Sequence, residues 1–99
     1  MKIVNPHIKN IKDLCKKHNV SSLYLFGSAA ENTLNKNSDI DFLVTFLPIN
    51  LADYFSNYTS FKNSLKKLFN REIDLVEEQT LKNPILINSI NQSKELIYG

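Results

Sequence analysis

Residues 25–45, LFGSAAENTLNKNSDIDFLVT, decide the fold. The apolar run Leu23-Tyr24-Leu25-Phe26 suits a buried strand, and it stops at Gly27-Ser28. Ser28 can cap a short helical turn reaching to about Leu34. After this polar stretch the chain resumes as Ile40 to Phe46, rich in branched and aromatic residues and closed by Leu47-Pro48, which reads as the strongest strand of the chain. That strand opens on Asp39 and Asp41. Aspartate is a poor strand former, so two carboxylates at the head of an apolar strand are a local conflict that function has to explain.

Working outward, Ile8, Ile11, Leu14 and Cys15 recur at helical spacing between lysines, which predicts a first amphipathic helix over residues 6–18 with Asn19 as its stop. On the other side, Leu51, Tyr54, Phe55, Tyr58, Phe61, Leu65, Leu68 and Phe69 trace the face of a long helix over 51–69. Residues 72–76 alternate Ile73 and Leu75 with Asp74 and read as a third strand. Asn83-Pro84 is a cap followed by a first-turn proline, and the apolar residues from Ile85 to Leu96-Ile97 continue it as a last helix. The expected class is α/β (α+β): a small mixed sheet, three-stranded or slightly larger, packed with helices. Crossovers through helices favour parallel pairing, whereas the short connection over 29–38 allows the first two strands to run antiparallel.

The 99 residues are expected to form one domain, 1–99, with an ordinary apolar content of 42%. A formal charge of +2 falls far short of a basic stripe, so direct nucleic-acid binding is not expected. All but one of the 12 basic residues are lysine, the exception being Arg71, so arginine clamps on phosphate are almost unavailable. Cys15 has no partner cysteine in the chain and sits on an apolar helix face as a small hydrophobe. The first residues are broken by Pro6 and by charges, and no apolar run approaches the roughly 20 residues that span a bilayer. A cytoplasmic location without membrane contact is the expectation.

In a strand, residues i and i+2 share a face, so Asp39 and Asp41 project together while Ile40, Phe42 and Val44 enter the core. Two like charges with backbones roughly 7 Å apart repel unless a cation sits between them. Carboxylate oxygens without a nearby Cys or His cluster point to Mg²⁺, with Mn²⁺ as the alternative; His7 and His18 belong to the first helix and are expected on its surface. If the third strand lies beside the second, Asp74 completes the set. Three carboxylates around two dications suit phosphoryl or nucleotidyl transfer, in which the metals activate a hydroxyl and hold the leaving oxygens. Gly27 then lets a phosphate approach the backbone, and the following N–H groups and the Ser28 hydroxyl can bind it.

Gly27-Ser28 followed, after residues 29–38, by Asp39-Ile40-Asp41 resembles the signature of the polymerase-β-type nucleotidyltransferase superfamily. The run Ser38-Asp39-Ile40-Asp41-Phe42-Leu43-Val44 is similar to its minimal nucleotidyltransferase (MNT) branch, and the similarity extends over Ile73-Asp74-Leu75-Val76 and Glu95-Leu96-Ile97-Tyr98-Gly99. The resemblance implies a polymerase-β-like core with two Mg²⁺ ions on Asp39, Asp41 and Asp74, the last also helping to activate the nucleophile. ATP is the implied substrate, its phosphates held by Gly27 and Ser28, with Ser38 as a further nucleotide-binding candidate. MNT proteins are typically encoded beside a HEPN-domain ribonuclease toxin, so the resemblance further implies an antitoxin that transfers AMP to a tyrosine of that toxin, with a hetero-oligomer of the two as the implied assembly. One departure is Glu31-Asn32 where the family often has Arg-Gly, which sets a negative charge beside a triphosphate.

Two other readings stand beside this one. An inactive antitoxin would neutralise its toxin by binding alone, with Glu31 as the sign of decay. Transfer to a small molecule, as in aminoglycoside nucleotidyltransferases, would need an acceptor domain for which the chain has no length. Lys36, Lys66 and Lys67 read as solvated faces before phosphate contacts, and Tyr54, Phe55, Tyr58 and Phe61 as core, with Tyr54 and Tyr58 the members expected to reach the surface.

Overall fold

The computed structural model describes residues 3–30, 35 and 38–99, and the Ser28 side chain, Glu31-Asn32, Leu34 and Lys36 lie outside what it describes. Its frame is a four-stranded sheet in the order β3-β2-β1-β4, built from β1 (Val20–Phe26), β2 (Ile40–Phe46), β3 (Ile73–Glu77) and β4 (Glu95–Tyr98). β2 takes a central place because it can be buried on both faces: Ile40, Phe42 and Val44 are fully buried on one side and Leu43 on the other. The short connection does reverse the chain, so β1 and β2 pair antiparallel, with Leu25 opposite Phe42 and Leu23 opposite Val44. β2 and β3 are parallel, joined through a helix, with Ile40 opposite Ile73 and Phe42 opposite Leu75. The sheet is therefore mixed.

Two helices cover the face formed by Leu23, Leu25, Phe42, Val44, Ile73 and Leu75. α1 (Ile8–Lys17) buries Ile11 and Cys15, and α3 (Leu51–Phe69) buries Phe61 and Leu65. α1 begins later than expected because residues Asn5–His7 form a separate 3-10 turn behind Pro6. Asn19 ends it in the left-handed region at φ 58, which asparagine tolerates, and its carbonyl accepts from Leu47 N at 2.8 Å. Phe46 gathers Tyr54, Tyr58 and Phe61 around it at ring separations of 5.7, 6.5 and 6.1 Å, each near perpendicular or steeply tilted.

Several expectations about surfaces are corrected. The exposed large apolar side chains of α3 are Leu51 and Phe55, at 88% and 75%, so Phe55 is not core, while Tyr54 and Tyr58 stack on each other and reach the surface only in part. Their order follows from helix geometry: positions 54, 58, 61 and 65 form one stripe, and 51 and 55 fall outside it. His18 is not a surface residue but 5% exposed. Its Nδ1 donates to the Leu14 carbonyl at 2.8 Å and its Nε2 meets Ser60 Oγ at 3.0 Å, so it ties the end of α1 to α3 as a satisfied polar core residue.

The last expected helix also ends early. α4 (Pro84–Ser93) starts at the expected cap, with Asn83 Oδ1 accepting from Ile85 N and Leu86 N, but Lys94 turns extended and Glu95–Tyr98 becomes β4 against β1. α4 lies over the sheet face opposite α1 and α3. Its Ile87 and Ile90 close a cavity of about 100 Å³ with Leu43 and Leu81.

Candidate functional site

Alternation along β2 sends Asp41, Leu43 and Thr45 to the face that carries α4. α4 covers Leu43, and the N-terminal end of this face is left to Asp41. The parallel register puts Asp74 directly opposite Asp41, so the two carboxylates stand side by side on adjacent strands. Each is close enough to act on the other: the Asp74 charge, and hydrogen bonding to Asp74 when Asp41 is protonated, both favour the neutral Asp41 carboxyl. Ile73 and Leu75, on either side of Asp74, are buried on the opposite face, which is why β3 tolerates an exposed aspartate in its middle.

The third element of the site comes from the far side of β2. Phe26, the last residue of β1, pairs with Asp41, and the next residue is Gly27. Gly27 has φ +69, and a Cβ on it would collide with Asp41 Oδ2. Only glycine brings the backbone this close to the carboxylate, at the first residue of the short helix α2 (Gly27–Ala30). Ala29 and Ala30 behind it are buried and anchor that turn in the core.

Asp39 lies one residue ahead of β2 and is exposed. Among the described residues, no three His, Cys, Asp or Glu side chains are already gathered around one ion position. Asp74 stands opposite Asp41 in the register, and Asp39, one residue ahead of the strand, is near enough to act on Asp41 through space. Ser38 is half-buried; its Oγ accepts from Asn35 N at 3.3 Å and its N–H donates to the Asn35 carbonyl at 3.2 Å, which closes a turn just before Asp39.

Charge accumulates here. The Asp41 carboxyl is raised from 3.8 to about 6, first by its own burial, then by the negative charges of Asp74 and Asp39, then by the hydrogen bond with Asp74. Two adjacent carboxylates that resist joint ionisation, with the third carboxylate of Asp39 acting on them, fit a hard dication such as Mg²⁺ or Mn²⁺. Tyr58 donates its hydroxyl hydrogen bond to the Leu75 carbonyl next to Asp74, and burial and then the Asp74 charge raise its phenol above the usual value.

Elsewhere the candidates separate from the site. Lys66 pairs with Glu72 at 3.2 Å between exposed side chains, a contact of little energetic weight. His7 meets the edge of Phe69 with ring centroids 5.2 Å apart. Cys15 is fully buried, and burial pushes its thiol up to about 12, which makes it inert packing. Sequence reasoning noted Arg71 only as a rarity, yet its Nη1 donates to the carbonyls of Asn35 and Ser38 beside the site. The signal available was its position, close ahead of a strand that carries a carboxylate.

A family model described as polymerase beta, nucleotidyltransferase, matches residues 9–99. A protein of Methanocaldococcus jannaschii named "Putative protein adenylyltransferase MJ1379" is 35% identical over 96 residues, covering 97% of this chain and 90% of that protein. Among solved structures, one described as a "putative minimal nucleotidyltransferase" superposes with a TM-score of 0.79 at 23% identity, covering 95% of this chain and 92% of that one. A complex of the tri-AMPylated Shewanella oneidensis HEPN toxin with MNT antitoxin gives 0.66 at 17% identity, covering 96% of this chain and 71% of that one. At these identities the two structures share the fold. The family match over nearly the whole chain and the 35% identity to a relative of similar length make this protein a member of the polymerase beta nucleotidyltransferase family.

Proposed function

We propose that this nucleotidyltransferase moves AMP from ATP to a hydroxyl, a tyrosine in the favoured case, of a partner HEPN ribonuclease toxin and so acts as its antitoxin. The observation that carries the proposal is the register of β2 against β3, which sets Asp74 beside Asp41 where the Gly27 backbone comes against the Asp41 carboxylate. A relative named as a protein adenylyltransferase and a fold shared with a complex of AMPylated HEPN toxin and MNT antitoxin support the direction of transfer.

Asp39, Asp41 and Asp74 would hold two Mg²⁺ ions, which when bound supply positive charge to the triphosphate and acidify the attacking hydroxyl. The residues of the chain provide the rest. The backbone at Gly27 and after it, with Ser28, is the proposed phosphate contact, and Ser38, ahead of Asp39, is proposed as a further nucleotide contact. Asp74, exposed on its strand, would help to take the proton of an incoming hydroxyl. That hydroxyl attacks the α-phosphorus and pyrophosphate leaves. The acceptor hydroxyl is proposed to arrive on a separate chain. Among the described residues no helix is long and apolar enough to cross a membrane.

The test is to incubate the protein with the HEPN protein encoded beside it, ATP and Mg²⁺, and to measure the intact mass of both chains. The wild type should add AMP-sized increments to the partner, and the Asp39→Asn, Asp41→Asn double variant should add none. Toxin neutralisation by both proteins with no increment in either case would overturn the catalytic proposal and leave inhibition by binding, the reading that Glu31 in the sequence favours.

A further inference from the structure

We infer that Arg71 is a positioning residue for Asp39, an inference that rests on the proposed role of Asp39, Asp41 and Asp74 as metal ligands. Asn70 closes α3 in the left-handed region at φ 54 and turns the chain toward β3, which brings Arg71 alongside the segment that leads into β2. A single guanidinium nitrogen, Nη1, donates to the Asn35 carbonyl at 2.8 Å and to the Ser38 carbonyl at 2.9 Å. These are the two residues that close the turn ahead of Asp39.

The Ser38 carbonyl belongs to the peptide group that carries the Asp39 nitrogen. That group is planar, so anchoring its oxygen orients the plane from which Asp39 departs. The following peptide group is anchored as well, because Ile40 N donates to the Glu72 carbonyl at 3.1 Å. Both peptide groups that flank Asp39 are thus tied to consecutive residues, Arg71 and Glu72. Two residues further on comes Asp74, in register with Asp41. Asp39 is exposed and stands outside the strand, so packing of its side chain does not place it; the anchors at 71 and 72 place it relative to the other two carboxylates.

The chemistry suits arginine. Nη1 bears two hydrogens in a fixed plane and the group is charged at every relevant pH, so one nitrogen can bridge two carbonyls with charge-assisted bonds. Lysine can deliver a charged donor to the same place on a shorter, looser stem, and methionine can deliver none.

The experiment compares the full-length wild type with Arg71→Met and Arg71→Lys. In metal-free protein, hydrogen exchange over residues 35–42 should accelerate about tenfold in Arg71→Met, on the scale of one or two lost hydrogen bonds, and less in Arg71→Lys. Mn²⁺ titration followed by electron paramagnetic resonance should show affinity about 10- to 100-fold weaker in Arg71→Met and an intermediate loss in Arg71→Lys. Should Arg71→Met not fold, Arg71→Lys with a wild-type circular dichroism spectrum carries both measurements. Exchange and Mn²⁺ affinity equal to wild type in the folded variants would overturn the inference. If wild type binds no Mn²⁺, or if the Asp39→Asn, Asp41→Asn double variant binds it equally, the metal-ligand proposal fails instead, and the exchange rates alone decide whether Arg71 holds the segment.

Discussion

Replacing Asp41 with asparagine should make the metal-free protein more stable at neutral pH, although it removes a central group of the site. In the folded chain the carboxyl is raised from 3.8 to about 6, chiefly by burial and then by the charges of Asp74 and Asp39. A group whose folded value lies above its unfolded value favours the folded state when protonated. The penalty is therefore small near pH 4, grows as the pH rises toward 6, and is fully present above it. Taken at face value the shift corresponds to about 3 kcal/mol, but the side chain is only half-buried, and solvent screening reduces this to about 1–2 kcal/mol. For a domain of this size each kcal/mol moves the thermal midpoint by about 4–8 °C.

Asparagine has the same shape, carries no charge, and can donate to the Asp74 carboxylate, so it should relieve the penalty and supply a hydrogen bond that the ionised pair cannot make. Thermal unfolding followed by circular dichroism in EDTA should place Asp41→Asn at least about 4 °C above wild type at pH 7.5, and the gap should close toward pH 4. Added Mg²⁺ should raise the wild type and leave the variant nearly unmoved. A variant that melts at or below the wild-type midpoint at pH 7.5, or a gap that does not change with pH, would refute the account of charge crowding at this position.

Gly27→Ala should be destabilised by more than about 1 kcal/mol in urea unfolding, because its φ of +69 strains any side chain and the new Cβ meets Asp41 Oδ2, and it should lose Mn²⁺ binding together with stability. Cys15 should resist an aromatic disulfide reagent in the native state at pH 8 and react at the rate of unfolding, since burial holds its thiol at about 12. His18→Ala should cost about 1–3 kcal/mol in urea, from two lost hydrogen bonds that join α1 to α3, without altering Mn²⁺ affinity.

What could be read from the residues follows the range over which each signal acts. β2 and α3 were legible because their patterns are long and agree with local preference, and their observed bounds, Ile40–Phe46 and Leu51–Phe69, match the expected ones. β1 begins three residues earlier than its apolar run because Val20-Ser21-Ser22 is held by pairing with β2, with a register shift between Val20 and Ser22, and two serines carry no strand signal of their own. β4 failed for a related reason. Leu96 and Ile97 lie at a spacing that continues α4, and only the edge of β1, supplied by the rest of the fold, makes four residues worth extending.

The site divides along the same line. Asp41 and Asp74 could be picked out because each opposes what its strand wants locally, and a residue kept against its local preference announces a use. Arg71 opposes nothing. It is a polar residue in a polar connection, and its weight comes from two carbonyls more than thirty positions away in sequence, which no window of residues can display. Candidate ligating groups are found by local conflict, whereas the groups proposed to aim them satisfy every local rule and become visible only when two distant segments are laid side by side. Asp39 stands outside its strand and Asp74 within the next one, so on the proposal made for Arg71 it is contacts between distant segments that would bring the carboxylates to a distance one ion can bridge.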